Sequence, residues 1–289
     1  MTSLCDLHLH TTASDGSETP TQLVAHAREV ELRVIAIADH DSTEGVAEAL
    51  AAARGSGLEV IPGLEVSTDV PAGEVHLLGY FVNTASEELQ SILRLLRESR
   101  VGRARKMVEK LATLGMSLDY ERVREIAGAG SVGRPHVAQA MLEKGYVATS
   151  VEAFNRYIGR NGPAYVERYK LTPVEAVGLV RRAGGLPGLA HPVIMGAAES
   201  LGGDYNLDSL LAELVGAGLV AMECFYTGYP REVTDSLLAR ARALNLVATG
   251  GSDYHGANLC GPVLGGVDVP LSSVADLKAR LGKRITNHR

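Results

Sequence analysis

In the first part of the chain, short apolar runs alternate with stretches whose apolar positions recur every three or four residues. This is the texture of strands alternating with covering helices. Leu4 to His8 is the first run. Thr19-Pro20 then supplies an N-cap and a first-turn proline, and Leu23, Ala27 and Val30 form one apolar helix face. Val34 to Ala38 is continuously apolar, as a strand buried on both faces requires. An Ala-rich helix over Ser42 to Ala53, closed by Gly55 and Gly57, precedes strand candidates at Leu58 to Ile61 and Val75 to Val82.

From Glu87 to Tyr169 the texture changes to charged helical segments. Leu89, Ile92, Leu93 and Leu96, then Met107, Val108 and Leu111, repeat at helical spacing, with hardly any buried-strand run between them. The alternation then resumes. Helices are predicted over Pro173 to Ala183, Leu207 to Val215 and Pro230 to Leu244, and strands over Leu186 to Ala190, Leu219 to Cys224 and Leu246 to Thr249. The expected organisation is an α/β unit made of residues 1–86 and 172–289, interrupted by a helical insertion at 87–171 that would cap the substrate. No internal repeat is evident, and Lys283 to Arg289 reads as a polar tail.

Composition narrows the function. A net charge of -6 argues against a duplex nucleic-acid clamp, while a local basic pocket could still hold one small anion or a short oligonucleotide end. Cys5, Cys224 and Cys260 are widely spaced, odd in number and in no C-x-x-C pattern, which excludes a disulfide framework and points to a reducing compartment. The N-terminus lacks the basic start and apolar run of a signal peptide, and charges interrupt every stretch that approaches the roughly 20 apolar residues of a bilayer span. The expectation is a soluble cytoplasmic protein with no membrane partner.

The candidate chemistry lies at the strand ends. Asp6-Leu7-His8-Leu9-His10 ends the first strand, and period-two geometry puts its acid and both imidazoles on one face. Asp15 follows in a polar loop, where alone it would be a turn residue. The second strand runs into Asp39-His40-Asp41, the third leads to Glu65, and the fourth carries His76. Later strands end in His191-Pro192 and in Ser252-Asp253-Tyr254-His255. A lone glutamate after a glycine turn is usually solvated, but parallel β/α architecture brings successive strand ends to one crevice. Imidazoles and carboxylates without thiolates suit Mn²⁺, Zn²⁺ or Fe²⁺, and a ligand list longer than four implies more than one ion.

Taken in order, Asp6-Leu7-His8-Leu9-His10-Thr11, Ala38-Asp39-His40-Asp41, Gly63-Leu64-Glu65, Ala190-His191-Pro192 and Ser252-Asp253-Tyr254-His255 resemble the motifs of the polymerase-and-histidinol-phosphatase (PHP) family. The resemblance implies a distorted (β/α)₇ barrel with two or three divalent ions at the strand C-termini, Mn²⁺ first and Zn²⁺, Fe²⁺ or Mg²⁺ as alternatives. It implies one site of His8, His10, Glu65 and Asp253, a second sharing Glu65 with His76 and His191, and a third of Asp15, His40 and His255. The insertion, with Gly133-Arg134-Pro135-His136-Val137-Ala138 and Tyr169-Lys170-Leu171-Thr172-Pro173, is similar to that of nucleoside 3′,5′-bisphosphate phosphatases and short-RNA 5′-exonucleases. Arg134, His136 and Lys170 are therefore the expected substrate contacts, Arg134 as a bidentate phosphate clamp.

The implied activity is hydrolysis of phosphate monoesters by a hydroxide that bridges two ions. Asp6, Asp39 and Tyr254 would orient ligands, and Asp41 or a metal-bound water would protonate the leaving alcohol. The expected substrate is a small nucleotide or other phosphomonoester, with short single-stranded RNA as a further substrate. Histidinol-phosphate hydrolysis, amide hydrolysis of the amidohydrolase type and a catalytically silent metal-binding module are the alternatives. Arg134 with Lys170, and the lack of a bridging-lysine motif, favour phosphate over an amide.

Overall fold

The computed structural model describes residues 4–70, 73–128, 132–193, 206–256 and 262–286, so Cys260 and the end of the polar tail lie outside the described residues. The chain divides into two compact units, residues 1–90 with 170–289 and residues 91–169.

The first unit is mixed α/β. Strands β1 (Cys5–Leu9), β2 (Val34–Ile37) and β3 (Glu59–Ile61) pair in parallel in that order. Strands β4 (Gly63–Val70), β5 (Gly73–Tyr80), β6 (Leu186–Leu189), β7 (Ala221–Tyr226) and β8 (Val247–Gly251) form the second sheet. The pairs β6–β7 and β7–β8 are parallel, whereas β4–β5 and β5–β6 are antiparallel. The apolar pattern predicts a parallel sheet and no strand at Glu65. The physical reason for the difference is that β4 and β5 are consecutive, with too little chain between them for the crossover a parallel pair needs.

Every residue of β1 and β2 is buried, and α1 (Pro20–Glu29) packs Leu23, Val24 and Ala27 against Leu9, Ile35 and Ile37. Its start is fixed as the sequence implies: Thr19 and Gln22 form a capping box and Pro20 opens the first turn. The next helix, α2 (Val46–Ala52), begins later than the pattern predicts, because Thr43 and Ser42 are drawn into contacts of their own. The two sheets meet at their strand ends. His8 and His10 exchange backbone hydrogen bonds with Asp253 and Tyr254, and Asp39 and Asp41 do the same with Glu65. Glycine permits both approaches. A Cβ on Gly251 would lie 2.5 Å from the backbone N of His8, and one on Gly63 would lie 2.7 Å from the carbonyl O of Ile37.

The second unit is helical among the described residues. It contains most of α3 (Glu87–Thr113), with α4 (Tyr120–Ala127), α5 (Arg134–Glu143), the short α6 (Ser150–Ala153) and a π-helical turn at Phe154–Ile158. Met107, Leu111, Val123, Val137, Met141 and Ile158 are fully buried in its core. No helix among the described residues is long and apolar enough to cross a membrane.

Candidate metal centre

Six of the nine histidines gather at the strand ends of the first unit. β1 delivers His8 and the adjoining His10, the turn after β2 gives His40, β5 gives His76, and the segments after β6 and β8 give His191 and His255. Glu65, on β4, is their common neighbour. Its Oε1 lies 2.8 Å from Nδ1 of His76 and 3.0 Å from Nε2 of His191. Its Oε2 lies 2.9 Å from Nδ1 of His40 and 3.4 Å from Nε2 of both His8 and His10.

Two aspartates extend the cluster. Asp253 Oδ1 is 3.0 Å from Nε2 of His10 and 3.4 Å from Nε2 of His8, while its Oδ2 accepts from the Tyr226 hydroxyl at 2.7 Å. Asp15 Oδ1 is 3.4 Å from Nε2 of His255, and its Oδ2 is 3.9 Å from Nε2 of His40. Three sets of donor atoms close enough to share an ion result: His10, Asp15, His40 and His255; His8, His10 and Glu65; and His40, Glu65 and His76. His10 and His40 thus link groups that the family resemblance keeps apart.

Backbone and charge both mark this region as strained. His191 and Asp253 have φ of 25° and 57°, and Asp41 nearby has 49°, conformations that cost energy in a non-glycine residue and collect at functional sites. Nε2 of His8, both ring nitrogens of His10, Oδ1 of Asp15, Oε2 of Glu65 and Oδ1 of Asp253 are buried without an aligned hydrogen bond. Buried polar atoms are normally satisfied. A group of them converging on one space fits divalent cations, to which neutral imidazole nitrogens and carboxylate oxygens are good ligands.

Electrostatics agree. Burial opposes ionisation of Glu65, yet His40, His76 and His8 hold its carboxyl well below the usual range. Asp253 and Asp15 are likewise held low by surrounding imidazoles against the same burial. Burial, with His255 and His40 beside it, lowers His10 to about 3, so it stays neutral. His255 rises to about 9 despite burial, because Asp15 and Asp253 favour its charged form.

A PHP domain model matches residues 6–99. A 5′-3′ exoribonuclease of Haemophilus influenzae is 31% identical over 260 residues, which cover 88% of this chain and 91% of that protein. A 3′,5′-nucleoside bisphosphate phosphatase of Chromobacterium violaceum is 30% identical over 265 residues, covering 91% and 90%. The chain belongs to the PHP family. A solved protein of Bifidobacterium adolescentis described as a metal-dependent phosphoesterase superimposes with a TM-score of 0.84 at 31% identity, over 96% of both chains. The His, Glu and Asp clusters of this PHP chain are accordingly suited to metal binding.

Other expected residues sit differently from the pattern. Among the described residues, Asp6 and Asp39 bond no imidazole. Asp6 accepts backbone N–H groups of Ser252 and Gly265, and Asp39 accepts from Thr11 and Ser14, so both brace loops. Tyr254, expected to orient a ligand, packs among Leu9 and Leu23 and donates its hydroxyl to Glu18 at 2.9 Å. Asp253 and His255 on either side of it reach the cluster, whereas the Tyr254 ring lies with Leu9 and Leu23. Asp41 is fully buried and accepts from the Ser67 N–H.

The substrate candidates are also placed. Lys170 donates to Glu74 at 2.6 Å, so its charge is committed to a carboxylate. In the second unit, Arg134 opens α5 with its guanidinium 5.4 Å from the Phe154 ring centroid. His136 accepts the Gly133 N–H on Nδ1, which leaves Nε2 as its donor. Two residues at the centre are absent from the sequence expectations: Tyr226, which holds Asp253, and the buried Glu223 on β7. An acid within the apolar run Ala221-Met222-Glu223-Cys224 was the only available signal for the latter.

Proposed function

We propose that this chain is a metal-dependent phosphomonoesterase that removes the 3′-phosphate of nucleoside 3′,5′-bisphosphates and also degrades short oligoribonucleotides from the 5′ end. The observation that carries the reading is the Glu65 carboxylate, buried at 0% exposure with five imidazoles within 3.4 Å. A structural core has no use for that arrangement, and a cluster of cations does. Relatives whose names specify a bisphosphate phosphatase and an exoribonuclease support the substrate class.

In this reading one ion takes His8, His10, Glu65 and Asp253, a second shares Glu65 and adds His76 and His191, and a third takes Asp15, His40 and His255, with Mn²⁺ as the first choice. Bound ions supply an acidified water and offset charge that gathers on the phosphate oxygens. The chain's own residues do the positioning. Glu65 holds the two halves of the cluster at one spacing, Tyr226 fixes the free rotation of Asp253, and the buried Asp41 is the candidate proton donor to the leaving alcohol. Arg134 and His136 are assigned the second phosphate of the substrate on their sequence motif, and residues 87–171 the capping role. We further read the two sheets as the distorted (β/α)₇ barrel, with β3 and β4 counted as one position; the backbone bonds between their strand ends support closure.

The test is phosphate release, with Mn²⁺ present, from adenosine 3′,5′-bisphosphate, AMP and histidinol phosphate in parallel. Strong preference for the bisphosphate is expected, with Arg134→Ala weakening it far more than a simple monoester. Inactivity on all three with metal bound would return the chain to the amide-hydrolase or silent-module readings.

A further inference from the structure

Among the described residues, Glu223 is an acidic side chain that bonds a cluster imidazole yet belongs to none of the proposed ion-binding groups. It lies on β7, is fully buried, and carries both oxygens to the same imidazole: Nδ1 of His8 is 3.2 Å from Oε1 and 3.1 Å from Oε2. Oε2 also accepts the backbone N–H of His191 at 2.8 Å. One carboxylate therefore grips two cluster residues, the first through its ring and the second through its main chain, at the strained residue whose φ is 25°.

We infer that Glu223 is the positioning residue that sets the His8 tautomer and holds His191 in register, and so tunes the affinity of the centre for its ions. The inference rests on the metal-binding reading above. A carboxylate only accepts, so Nδ1 of His8 must carry the hydrogen between them. In the neutral ring Nε2 is then a bare lone pair. It faces Oε2 of Glu65 and Oδ1 of Asp253, each at 3.4 Å, which are acceptors as well. Three acceptors around one point repel each other unless a cation stands between them. Glu223 thus fixes Nε2 as the nitrogen that faces an incoming ion, which displaces any proton there, and disfavours the neutral tautomer in which Nε2–H would stay between the two acids.

The grip on His191 acts in the same direction. Nε2 of His191 is 3.0 Å from Oε1 of Glu65, and the ring can hold that position only while the left-handed backbone at residue 191 is kept from relaxing. A second acceptor on a metal-ligating histidine is a common device, and its loss costs about 10–100-fold in metal affinity. Here a single side chain serves two ligands on different strands, so Glu223→Ala belongs at the upper end of that range. Glu223→Gln keeps one acceptor oxygen for the His191 N–H and the shape, but its amide N–H turns the His8 ring to the tautomer that accepts on Nδ1, so an intermediate loss of affinity is expected without a loss of hydrogen bonds.

The experiment is calorimetric titration of metal-free wild type, Glu223→Gln and Glu223→Ala with Mn²⁺, alongside melting curves of the metal-free proteins. The expected order of affinity is wild type, then Gln, then Ala, with the metal-free Gln variant melting no lower than wild type. A general packing role would lower the melting temperature and leave affinity per folded molecule unchanged. Equal affinity in all three overturns the inference and leaves the metal-binding reading standing, whereas a wild type that takes up no ion withdraws both. Nitrogen NMR of wild type loaded with Zn²⁺ needs no substitution: the His8 ring must be protonated on Nδ1, and protonation on Nε2 overturns the inference even if the variants fail to fold.

Discussion

The interior of the helical unit and the strand-end cluster are equally buried and differently built. In the first, Met107, Leu111, Val123, Val137 and Met141 fill space with apolar side chains. Its carboxylates stay outside, in exposed pairs such as Arg122 with Glu125 and Glu143, and the buried charges among its described residues are the basic side chains of Arg103 and Arg168. In the second, Glu65, Asp253 and Asp15 are sunk among imidazoles with several polar atoms left unaligned. Apolar burial stabilises by about 25 cal/mol per Å², whereas burial of an unpaired charge costs several kcal/mol. A chain that places both in one fold gives up stability at the strand ends for a capacity to bind something that is not protein.

The largest effect that could break this contrast comes from Glu65→Gln. A neutral amide cannot hold two cations, so bound Mn²⁺ and phosphatase activity should both fall by at least ~100-fold, the upper end for loss of even an outer-shell partner. Metal content after gel filtration and initial rates would check it. A variant that keeps its metal and its rate would make the cluster an ordinary buried polar network, no different in kind from the loop braces of Asp6 and Asp39.

Leu111→Ala sharpens the comparison from the other side. Leu111 is fully buried, and a buried Leu→Ala change costs ~2–5 kcal/mol. Denaturant melts should register that loss while the metal content per folded molecule stays at the wild-type value. If metal is lost in proportion to stability, the two interiors are not separable as described.

How much of this was legible in the sequence depends on whether the cue was local. His8 and His10 follow from strand period two, and Asp253 and His255 from the end of a later strand, and all four lie in the cluster. The same spacing misleads for Asp6, which turns to loop amides contributed by Ser252 and Gly265. Glu65 is expected as a ligand but beyond the third strand, after a glycine turn; it lies on β4, whose antiparallel pairing with β5 is set by the connection rather than by residue pattern. Glu223 and Tyr226 were out of reach for a further reason. Their partners, His8 and Asp253, lie 215 and 27 residues away, and nothing in the run around them announces a contact that only the assembled sheet creates.

The smallest expected effect concerns pH, and it separates residues within the cluster itself. In the ion-free protein His255 is raised to about 9 and His8 lies well above its ordinary value: burial works against both, but Asp15 and Asp253 around the first, and Glu223, Asp253 and Glu65 around the second, favour the proton. A group with a raised pKa holds its proton below that value, and an incoming ion must displace it. His10, lowered to about 3, has no proton to lose. Metal affinity should therefore climb as pH rises from 6 towards 9, by up to ~tenfold per unit for each proton displaced, since one pKa unit corresponds to 1.36 kcal/mol. Above about 9 the contribution of His255 is exhausted and the slope should decrease. Calorimetry in buffers of different ionisation enthalpy counts the protons directly. Release of none at pH 7 would mean that the imidazoles are already neutral without an ion, and that the carboxylates of the cluster are screened as completely as the exposed pairs of the helical unit.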